Sequence, residues 1–262
     1  MAKTNVSNLV KISDITPEQV ASICDHTFLT RPEVYRNEGV CAPMEYKKAF
    51  EKFMNEVVTG KLTPYAVCVR PEDVTHAKKI LEKGKKANVV IAAVVGFPFG
   101  GWYETDFKVA EAMLAIKYGA TEIDMIINVE KVLLDDWAGV EEDMKGVVEA
   151  VHAKQVRVKL ILETSELTNA QIVRACKLAD KLGFDFVKTS TGFDTAGAKP
   201  EHLKLMRENF SKGVKMSGGV NKDNLAELLT AVSGRNDGYI ELDPLKVRIG
   251  ESSLLKGFSG SY

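Results

Sequence analysis

Two lysines stand in short segments whose other residues are apolar or small. Lys188 lies in FVKTSTGF and Lys215 in VKMSGG. Removal from water and a nearby like charge both lower the pKa of an ammonium group, so at least one of these lysines should have a lowered pKa. The neutral amine is the form that attacks a carbonyl carbon. The pair therefore indicates an amine nucleophile that could form a Schiff base with a small aldehyde.

Four further charged residues lie in segments that are otherwise largely apolar. Asp124 in EIDMIIN and Lys159 in VRVKLILET are the clearest cases, and Asp25 and Glu163 are the others. An isolated buried charge costs on the order of several kcal/mol, so such residues persist when they are paired, hydrated by a pocket or needed for chemistry. Asp124 can carry the protons of carbinolamine dehydration and C–C cleavage, or it can pair with Lys159, and both roles can coexist. We expect Asp25 and Glu163 to support these residues or to bind a substrate hydroxyl.

Glycine and serine follow several of the predicted strands, in GFPFGG, STG, SGG and GESS. Glycine lets backbone N–H groups approach a ligand, and helix N-termini after the seventh and eighth strands of a (β/α)8 barrel commonly bind phosphate. Turns between strands and helices are often glycine-rich for structural reasons alone, so each motif has that alternative. The predicted substrate-binding and phosphate-binding residues are Thr189, Gly192, Gly218, Gly219, Gly250, Ser252 and Ser253.

The elements that must position these residues alternate between β-branched runs and amphipathic helical stretches. Eight strands with intervening helices favour an α/β fold with a single closed (β/α)8 TIM barrel over an open doubly wound sheet. Catalytic residues in that architecture converge from several strand ends, which favours a catalytic site over a structural salt-bridge cluster or lysines on a solvent-facing edge strand. The predicted strands span residues 23–29, 66–70, 89–96, 122–128, 157–164, 184–190, 213–217 and 247–250.

The predicted helices and loops complete one domain over residues 1–262, with an N-terminal extension at residues 1–16 and a flexible C-terminal tail at residues 257–262. Two long connections, residues 30–43 and 233–246, are candidate rim or interface segments. The predicted helices span residues 44–58, 71–83, 105–118, 137–153, 169–181, 200–209 and 222–232.

The composition is that of an ordinary soluble globular protein, with 45% hydrophobic and 27% charged residues in a chain of 262. The formal charge of −1 gives no field that would attract nucleic acid or a membrane surface, and no apolar run is long enough to span a bilayer. We therefore expect a cytoplasmic protein that binds neither. Four cysteines without CxxC spacing and four histidines without HxH or HExxH pairing predict free thiols and no protein-built metal site.

From about residue 25 to residue 253 the sequence resembles the deoxyribose-phosphate aldolase family. The matching segments, in order, are DHT, AVCVRP, VVGFPFG, EIDMIIN, VKLILET, FVKTSTGF, VKMSGGV and GESSLL. The resemblance implies that Lys188 forms the Schiff base and that Lys215 perturbs its pKa and assists proton transfer. It implies that Asp124 moves protons together with Lys159.

The reaction that the resemblance implies is reversible cleavage of 2-deoxy-D-ribose 5-phosphate into D-glyceraldehyde 3-phosphate and acetaldehyde, in deoxyribonucleoside and carbohydrate catabolism. No metal or organic cofactor is expected, because the iminium is the electron sink. A homodimer or homotetramer is the expected assembly.

Two acids depart from the family's pattern. Asp194 stands where glycine is common, and Glu251 where a small or hydroxyl residue is usual. Because an acid near a phosphate opposes its binding, we expect a phosphorylated substrate to bind more weakly than is usual in the family. If Gly250 and Ser252 face the pocket, strand alternation turns Glu251 away from it.

Other functions fit some of the same residues. One is a different Schiff-base barrel enzyme, an aldolase or a transaldolase with another, non-phosphorylated aldehyde substrate. The other is a phosphate-binding barrel that has lost its chemistry and acts as a sensor, which the presence of Lys188, Lys215 and Asp124 argues against. Cys68 is expected to line the barrel, with a core thiol as the alternative, and the terminal Tyr262 is a candidate proton relay.

Overall fold

Eight of the strands close into a parallel barrel. The structure is a computed structural model that describes residues 9–37, 39 and 41–259. Its strands are β1 (Leu9–Lys11), β2 (Cys24–Phe28), β3 (Ala66–Val69), β4 (Val90–Val95), β5 (Glu122–Ile126), β6 (Arg157–Ile161), β7 (Phe186–Lys188), β8 (Gly213–Ser217), β9 (Tyr239–Glu241) and β10 (Val247–Glu251). The order around the barrel is β2-β3-β4-β5-β6-β7-β8-β10, and β10 closes on β2. This confirms the predicted TIM barrel.

Helices occupy the connections between the barrel strands. They are α1 (Pro17–Ala21), α2 (Ala42–Thr59), α3 (Val74–Lys83), α4 (Thr105–Tyr118), α5 (Val129–Leu133), α6 (Trp137–His152), α7 (Asn169–Leu182), α8 (Pro200–Asn209), α9 (Leu225–Ser233) and α10 (Leu254–Ser259). Short 3-10 turns lie at Ile12–Asp14, Pro32–Tyr35, Pro71–Asp73 and Gly100–Trp102. None of the helices in the described part of the chain has both the length and the apolar character needed to cross a membrane.

Local sequence signals explain several helix boundaries. The hydroxyl of Thr168 accepts the backbone N–H of Gln171 at 3.3 Å, and the Gln171 side chain accepts the backbone N–H of Thr168 at 2.9 Å, which forms a capping box at the start of α7. α9 begins three residues later than predicted because Asn221 Oδ1 accepts the backbone N–H groups of Asp223 and Asn224, at 2.9 and 3.2 Å. This side-chain turn competes with the first turn of a helix.

The N-terminal extension pairs with the long connection before the last barrel strand. β1 and β9 run antiparallel, with Leu9 opposite Glu241 and Lys11 opposite Tyr239. The connection at residues 233–246 is therefore long because it supplies a strand. At the other end, residues 257–259 of the predicted tail belong to α10, whereas Tyr262 lies outside the described residues.

Alternation along the strands gives the barrel interior its chemistry. Every second side chain of a strand points to the same face, so Glu122, Asp124 and Ile126 of β5 all point inward. The same period places Lys159 of β6 inside, next to Asp124 in the register of the two strands. The opposite faces of the strands pack against the helices in an extensive core of valine, isoleucine, leucine and alanine. The charged residues are thus held within an apolar shell.

A buried ion pair joins two outer helices to the barrel. Lys108 Nζ on α4 donates to Asp143 Oδ2 on α6 at 2.5 Å and to the carbonyl oxygen of Ile126, the last residue of β5, at 3.3 Å. Thr105 Oγ1 donates to the other carboxylate oxygen of Asp143 at 3.0 Å. Both charged side chains are buried. Because a buried ion needs its partner, this pair should fix α4 and α6 against the end of β5.

Replacing Lys108 should therefore destabilise the fold. The Lys108→Met variant leaves a buried carboxylate without its cation, which should lower the free energy of unfolding by about 3 kcal/mol. Urea denaturation at neutral pH measures the loss. The control is Lys145→Met, which removes the exposed partner of Glu149 on α6 and should cost less than about 1 kcal/mol. Equal losses in the two variants would contradict the role given to Lys108.

Candidate active site

Lys188, the last residue of β7, lies beside Lys215 of β8. The two residues are directly opposite each other in the register of these strands. Lys188 Nζ donates to Asp124 Oδ2 at 3.2 Å, and Lys215 Nζ donates to the same oxygen at 2.8 Å. Lys215 Nζ also donates to Asp25 Oδ2 at 2.5 Å. The three residues expected to carry the chemistry thus meet at one carboxylate oxygen.

Lys159 binds the other oxygen of Asp124. Its Nζ donates to Asp124 Oδ1 at 2.7 Å and lies 2.6 Å from Glu122 Oε2. The ion pair that the sequence allowed between Asp124 and Lys159 is therefore present together with the contact to Lys188. Lys159 therefore holds the Asp124 carboxylate in one orientation, and the second oxygen of that carboxylate faces Lys188 and Lys215.

Arg248 and Glu122 complete the cluster, and the sequence analysis did not single them out. Arg248 Nη1 donates to Asp25 Oδ1 at 2.5 Å, and its Nη2 donates to Glu122 Oε1 at 2.9 Å. Both side chains are fully buried. Their positions could have been found from strand alternation, because Glu122 is two residues before Asp124 and Arg248 two residues before Gly250.

The pKa values of Lys188 and Lys215 move in opposite directions. Burial and the nearby ammonium of Lys215 lower the pKa of Lys188, and Asp124 offsets only part of this effect. Burial also acts to lower the pKa of Lys215, but the carboxylates of Asp124 and Asp25 outweigh it and raise that pKa. Despite its burial, Asp124 has a pKa well below the usual range because Lys159, Lys215 and Lys188 surround it. Lys188 is therefore poised to be neutral, beside a charged Lys215 and an ionised Asp124.

Charge balance within the cluster favours the loss of one proton, and Lys188 is the lysine with a single carboxylate contact. The cluster contains four cations and three carboxylates, namely Lys159, Lys188, Lys215, Arg248, Asp25, Glu122 and Asp124. With every group ionised it carries one excess positive charge, and an uncompensated charge away from water is costly. Loss of the proton from Lys188 removes the excess.

Apolar side chains line the barrel above this cluster, toward the C-terminal ends of the strands. They are Leu29, Cys68, Ala92, Val94, Phe97, Ile126 and Ile161. Cys68 Sγ lies 4.0 Å from Asp124 Oδ2, and burial raises the pKa of its thiol. Phe97 packs edge to face against Phe193, with 5.3 Å between ring centroids, so the loops after β4 and β7 meet at the mouth. The amine of Lys188 therefore sits in a poorly hydrated environment.

A cavity of about 300 Å³ opens at the mouth of the barrel, and Ile126, Glu163, Thr191, Phe193 and Asp194 contribute to its lining. A larger cavity of about 960 Å³ lies at the opposite end, where the strands begin, and none of the predicted site residues lines it. The smaller cavity lies at the C-terminal end of the strands, where the catalytic groups of parallel barrels lie, and Glu163 is the one predicted site residue that lines it. Within the described residues, no group of three or more His, Cys, Asp or Glu side chains is arranged to hold a metal ion.

Glu163 fixes the loop that follows Lys188. Its Oε2 accepts the backbone N–H of Thr191 at 3.1 Å and also the Thr191 hydroxyl. Burial raises the pKa of Glu163. Its own backbone is in the left-handed region, with a φ of 53°, which turns the chain at the end of β6. The structure thus places Glu163 at the rim of the site, behind the loop, and not on the amine of Lys188.

The residues predicted to bind phosphate fall into two groups. Thr189 is inside the sheet, where its hydroxyl donates to the carbonyl of Ser217 and accepts the Ser217 N–H, both at 3.0 Å. Gly250 is buried, and a Cβ there would lie 3.0 Å from Lys215 Cε, so its lack of a side chain leaves room for Lys215. The remaining residues lie in the turns after β7, β8 and β10, and they are Gly192, Gly218, Gly219, Ser252 and Ser253.

The two acids that depart from the family's pattern have partners of their own. Glu251 is buried, and its Oε1 lies 2.6 Å from His26 Nδ1, while its Oε2 accepts the backbone N–H of Leu255 at 3.3 Å. His26 stacks on Phe53 of α2, with 4.6 Å between ring centroids, so this pair lies outside the barrel. Asp194 accepts a hydrogen bond from the hydroxyl of Ser165, which lowers the Asp194 pKa. Glu251 therefore points away from the side on which Gly250 contacts Lys215.

The closed parallel barrel, with charged side chains converging from several strands, has the architecture of the TIM-barrel enzymes. The chain belongs to the DeoC/LacD family of aldolases, whose family model matches residues 21–259. This confirms the resemblance that the sequence motifs indicated.

Individual relatives agree with this assignment. The chain is 42% identical over 212 residues to a deoxyribose-phosphate aldolase of Clostridium perfringens strain SM101, which covers 80% of this chain and 86% of the relative. It is 49% identical over 158 residues to the deoxyribose-phosphate aldolase of Aciduliprofundum boonei, and the match covers 60% of this chain and 69% of that relative. A solved structure from Coccidioides immitis, described as a candidate deoxyribose-phosphate aldolase, superposes with a TM-score of 0.71 at 30% identity, covering 92% of this chain and 85% of that one.

The pair formed by His26 and Glu251 should contribute to stability. His26→Leu keeps an apolar group on Phe53 but removes the side-chain partner of a buried carboxylate, so we expect the free energy of unfolding to fall by about 2 kcal/mol. Urea denaturation measures the change. The matched control is His152→Leu, which breaks the more exposed contact of His152 with Asp185 and should cost less than about 1 kcal/mol. A loss no larger than that of the control would show that Glu251 does not depend on His26.

Proposed function

We propose that this protein is an aldehyde-lyase that reversibly cleaves 2-deoxy-D-ribose 5-phosphate into D-glyceraldehyde 3-phosphate and acetaldehyde, in deoxyribonucleoside and carbohydrate catabolism. The observation that carries the proposal is the meeting of buried Lys188 and Lys215 at one carboxylate oxygen of Asp124, and burial and Lys215 lower the pKa of Lys188. Family membership and the names of the relatives support the substrate. The chemistry requires neither a metal nor an organic cofactor, since the protonated imine is the electron sink.

The neutral amine of Lys188 begins the proposed reaction. Its Nζ attacks C1 of the open-chain sugar, and the carbinolamine loses water to give a protonated imine. The C2–C3 bond then breaks. Its electrons form an enamine, the proton of the C3 hydroxyl passes to a base, and glyceraldehyde 3-phosphate leaves. Protonation of the enamine at C2 and hydrolysis of the imine release acetaldehyde and restore Lys188.

Asp124 is the proposed proton carrier in these steps. Its Oδ2 lies 3.2 Å from Lys188 Nζ, close enough to exchange protons with groups formed on that nitrogen, directly or through one water. Asp124 is ionised at the start and can therefore accept a proton, and the ammonium group of Lys215, 2.8 Å from the same oxygen, stabilises its carboxylate. Lys159 orients the carboxylate through its other oxygen, and Asp25 holds Lys215.

The phosphate of the substrate is proposed to bind across the turns after β7, β8 and β10. Gly192, Gly218 and Gly219 have φ values of 85°, 83° and 71°, a backbone conformation that favours glycine. Ser252 and Ser253 are exposed just before α10. Because Glu251 points away, the weaker phosphate binding expected from the sequence now depends on Asp194 alone.

A different aldehyde substrate is the second candidate function. Four acids line the cavity at the mouth, and they would favour a neutral, hydroxylated carbon chain over an anionic one; they are Glu130, Glu163, Glu166 and Asp194. Identification of the products formed from acetaldehyde and a panel of acceptor aldehydes separates an aldolase of this kind, or a transaldolase, from the first proposal.

We also propose that the chain is one domain that works in the cytoplasm as a homodimer or homotetramer. Among the described residues 23–251, every strand other than β9 belongs to the closed barrel, and Ile240 of β9 is buried in the same core, which supports one domain. Free cysteines suit a reducing compartment, and Cys24, Cys41, Cys68 and Cys176 are all unpaired. The side chain of Phe107 on α4 is 70% exposed and that of Leu134 after α5 is 80% exposed, which supplies apolar surface for a second copy.

Reductive trapping tests the identity of the nucleophile. Incubation with acetaldehyde and sodium cyanoborohydride should leave a stable ethyl group on Lys188, located by peptide mass mapping, because only the imine is reduced. Lys188→Met should abolish both the adduct and the cleavage of the sugar phosphate. Lys204→Met on the exposed face of α8 is the control and should behave as the unaltered protein does. A predominant adduct on Lys159 or Lys215 would overturn the mechanism.

A new negative charge beside the proposed phosphate site tests substrate binding. Ser252→Asp should raise the KM for 2-deoxy-D-ribose 5-phosphate at least about tenfold through charge repulsion, and leave the KM for 2-deoxy-D-ribose within about twofold. Steady-state kinetics with both sugars measure the effect. Thr121→Asp, an exposed site before β5 at the other end of the barrel, is the control. Equal effects on both sugars would place the phosphate elsewhere.

A further inference from the structure

Arg248 and Glu122 form the lower layer of the buried charge cluster, toward the N-terminal ends of the strands. Every nitrogen of the Arg248 guanidinium has a partner. Nε donates to the carbonyl of Pro244 at 2.5 Å, Nη1 to Asp25 at 2.5 Å and Nη2 to Glu122 at 2.9 Å. The guanidinium carbon also lies 3.7 Å from the centroid of the Tyr65 ring. Arg248 is thus held in one position, between two carboxylates.

Glu122 links this layer to the residues around Lys188. Its Oε1 binds Arg248, and its Oε2 lies 2.6 Å from Lys159 Nζ. Lys159 in turn binds Asp124, whose second oxygen binds Lys188. The half-exposed guanidinium of Arg157 also contacts Glu122, with 3.5 Å between Arg157 Nη1 and Glu122 Oε1. An unbroken series of ionic contacts therefore runs from the lower layer to the Lys188 amine.

We propose that Arg248 and Glu122 are positioning residues that set the protonation state of Lys188 without touching it, by fixing the net charge of the buried cluster. The inference rests on the proposed function, because it requires Lys188 to react as a neutral amine. Its basis is the count of four cations and three carboxylates in one buried cluster, which becomes neutral when one lysine loses its proton, and Lys188 is the lysine with the fewest carboxylate contacts.

Removal of either residue changes this balance, with opposite signs. Without Arg248, the cluster with neutral Lys188 carries one excess negative charge, which favours protonation of Lys188. Without the charge of Glu122, it carries one excess positive charge, which opposes protonation. Coulombic effects of this kind persist over several ångströms in an interior of low dielectric constant. The two changes together restore neutrality.

Four other ionisable groups face Lys188 and stay the same in every variant. They are Lys215 on β8, Asp124 on β5, the Cys68 thiol on β3 and Glu163 at the end of β6. The thiol is kept neutral by its burial, and Glu163 is bound to the Thr191 loop. A change in the titration of Lys188 among the variants is then due to the charge that was replaced.

The pH dependence of imine formation tests the proposal. The rate at which acetaldehyde and cyanoborohydride alkylate Lys188 is measured from pH 5 to 10 in the unaltered protein, E122Q, R248M and the double variant. We expect the half-maximal pH to fall by about one unit in E122Q and to rise by about one unit in R248M. In the double variant it should return to within about 0.3 units of the unaltered protein.

The exposed ion pair of Lys181 on α7 with Glu141 on α6 supplies the matched control. K181M, E141Q and their combination remove the same charges on the surface and should leave the half-maximal pH unchanged. A purely structural role for the lower layer would reduce the yield or the stability of the variants without shifting their titration in opposite directions. Shifts of the same sign in E122Q and R248M, or no shift in either, would overturn the proposal.

Two further comparisons keep the test decisive. If R248M does not fold, E122Q and the charge-balanced double variant still test the proposal. The half-maximal pH must fall in E122Q and return in the double variant. R248K, which keeps the positive charge, should titrate like the unaltered protein. Failure of the proposed function has a different signature, namely no adduct on Lys188 of the unaltered protein at any pH. An adduct with the same pH dependence in all variants overturns the present inference alone.

Discussion

Ions buried inside the barrel must neutralise one another, because their side chains are shielded from bulk solvent. This constraint organises the site. Lys215 and Lys159 stay charged because Asp124, Asp25 and Glu122 surround them, and one amine, Lys188, is left without a full counter-charge. The proposed nucleophile is therefore the residue whose charge the cluster does not fully compensate. The neighbouring charged groups pair with one another, and this lowers the pKa of Lys188.

The parallel barrel is what makes such a cluster possible. Register places Lys188 opposite Lys215 and Asp124 opposite Lys159, so long side chains from adjacent strands meet at similar heights. Alternation along each strand directs the charged side chains into the barrel, where a cluster of apolar side chains lies beside them. Gly250 shows how closely the interior is filled, because a methyl group there would press on the Lys215 side chain. Packing and electrostatics thus constrain the same few positions.

Structural elements that depend on local residue patterns can be predicted from the sequence. The eight barrel strands follow from β-branched runs, and charges within those runs indicate Lys188, Lys215 and Asp124. The short helices α1, α5 and α10 and the strands β1 and β9 have too few residues to show a period. Arg248 is missed because a charge near the start of a strand resembles an exposed end. The orientation of Glu251 is left open by the sequence because its partner, His26, is 225 residues away in the chain. Pairing between distant residues leaves no trace in either local segment.

The seam between β10 and β2 joins the two ends of the barrel. Backbone pairing, the contact of Arg248 with Asp25 and that of Glu251 with His26 all cross it, and each needs residues from near both ends of the chain. During synthesis, β2 leaves the ribosome long before β10 exists, so one edge of the growing sheet stays open until the last strand arrives. Contacts of such high sequence separation form slowly, and unpaired strand edges aggregate. Until β10 pairs with β2, the open edge of the sheet therefore remains exposed to misassembly.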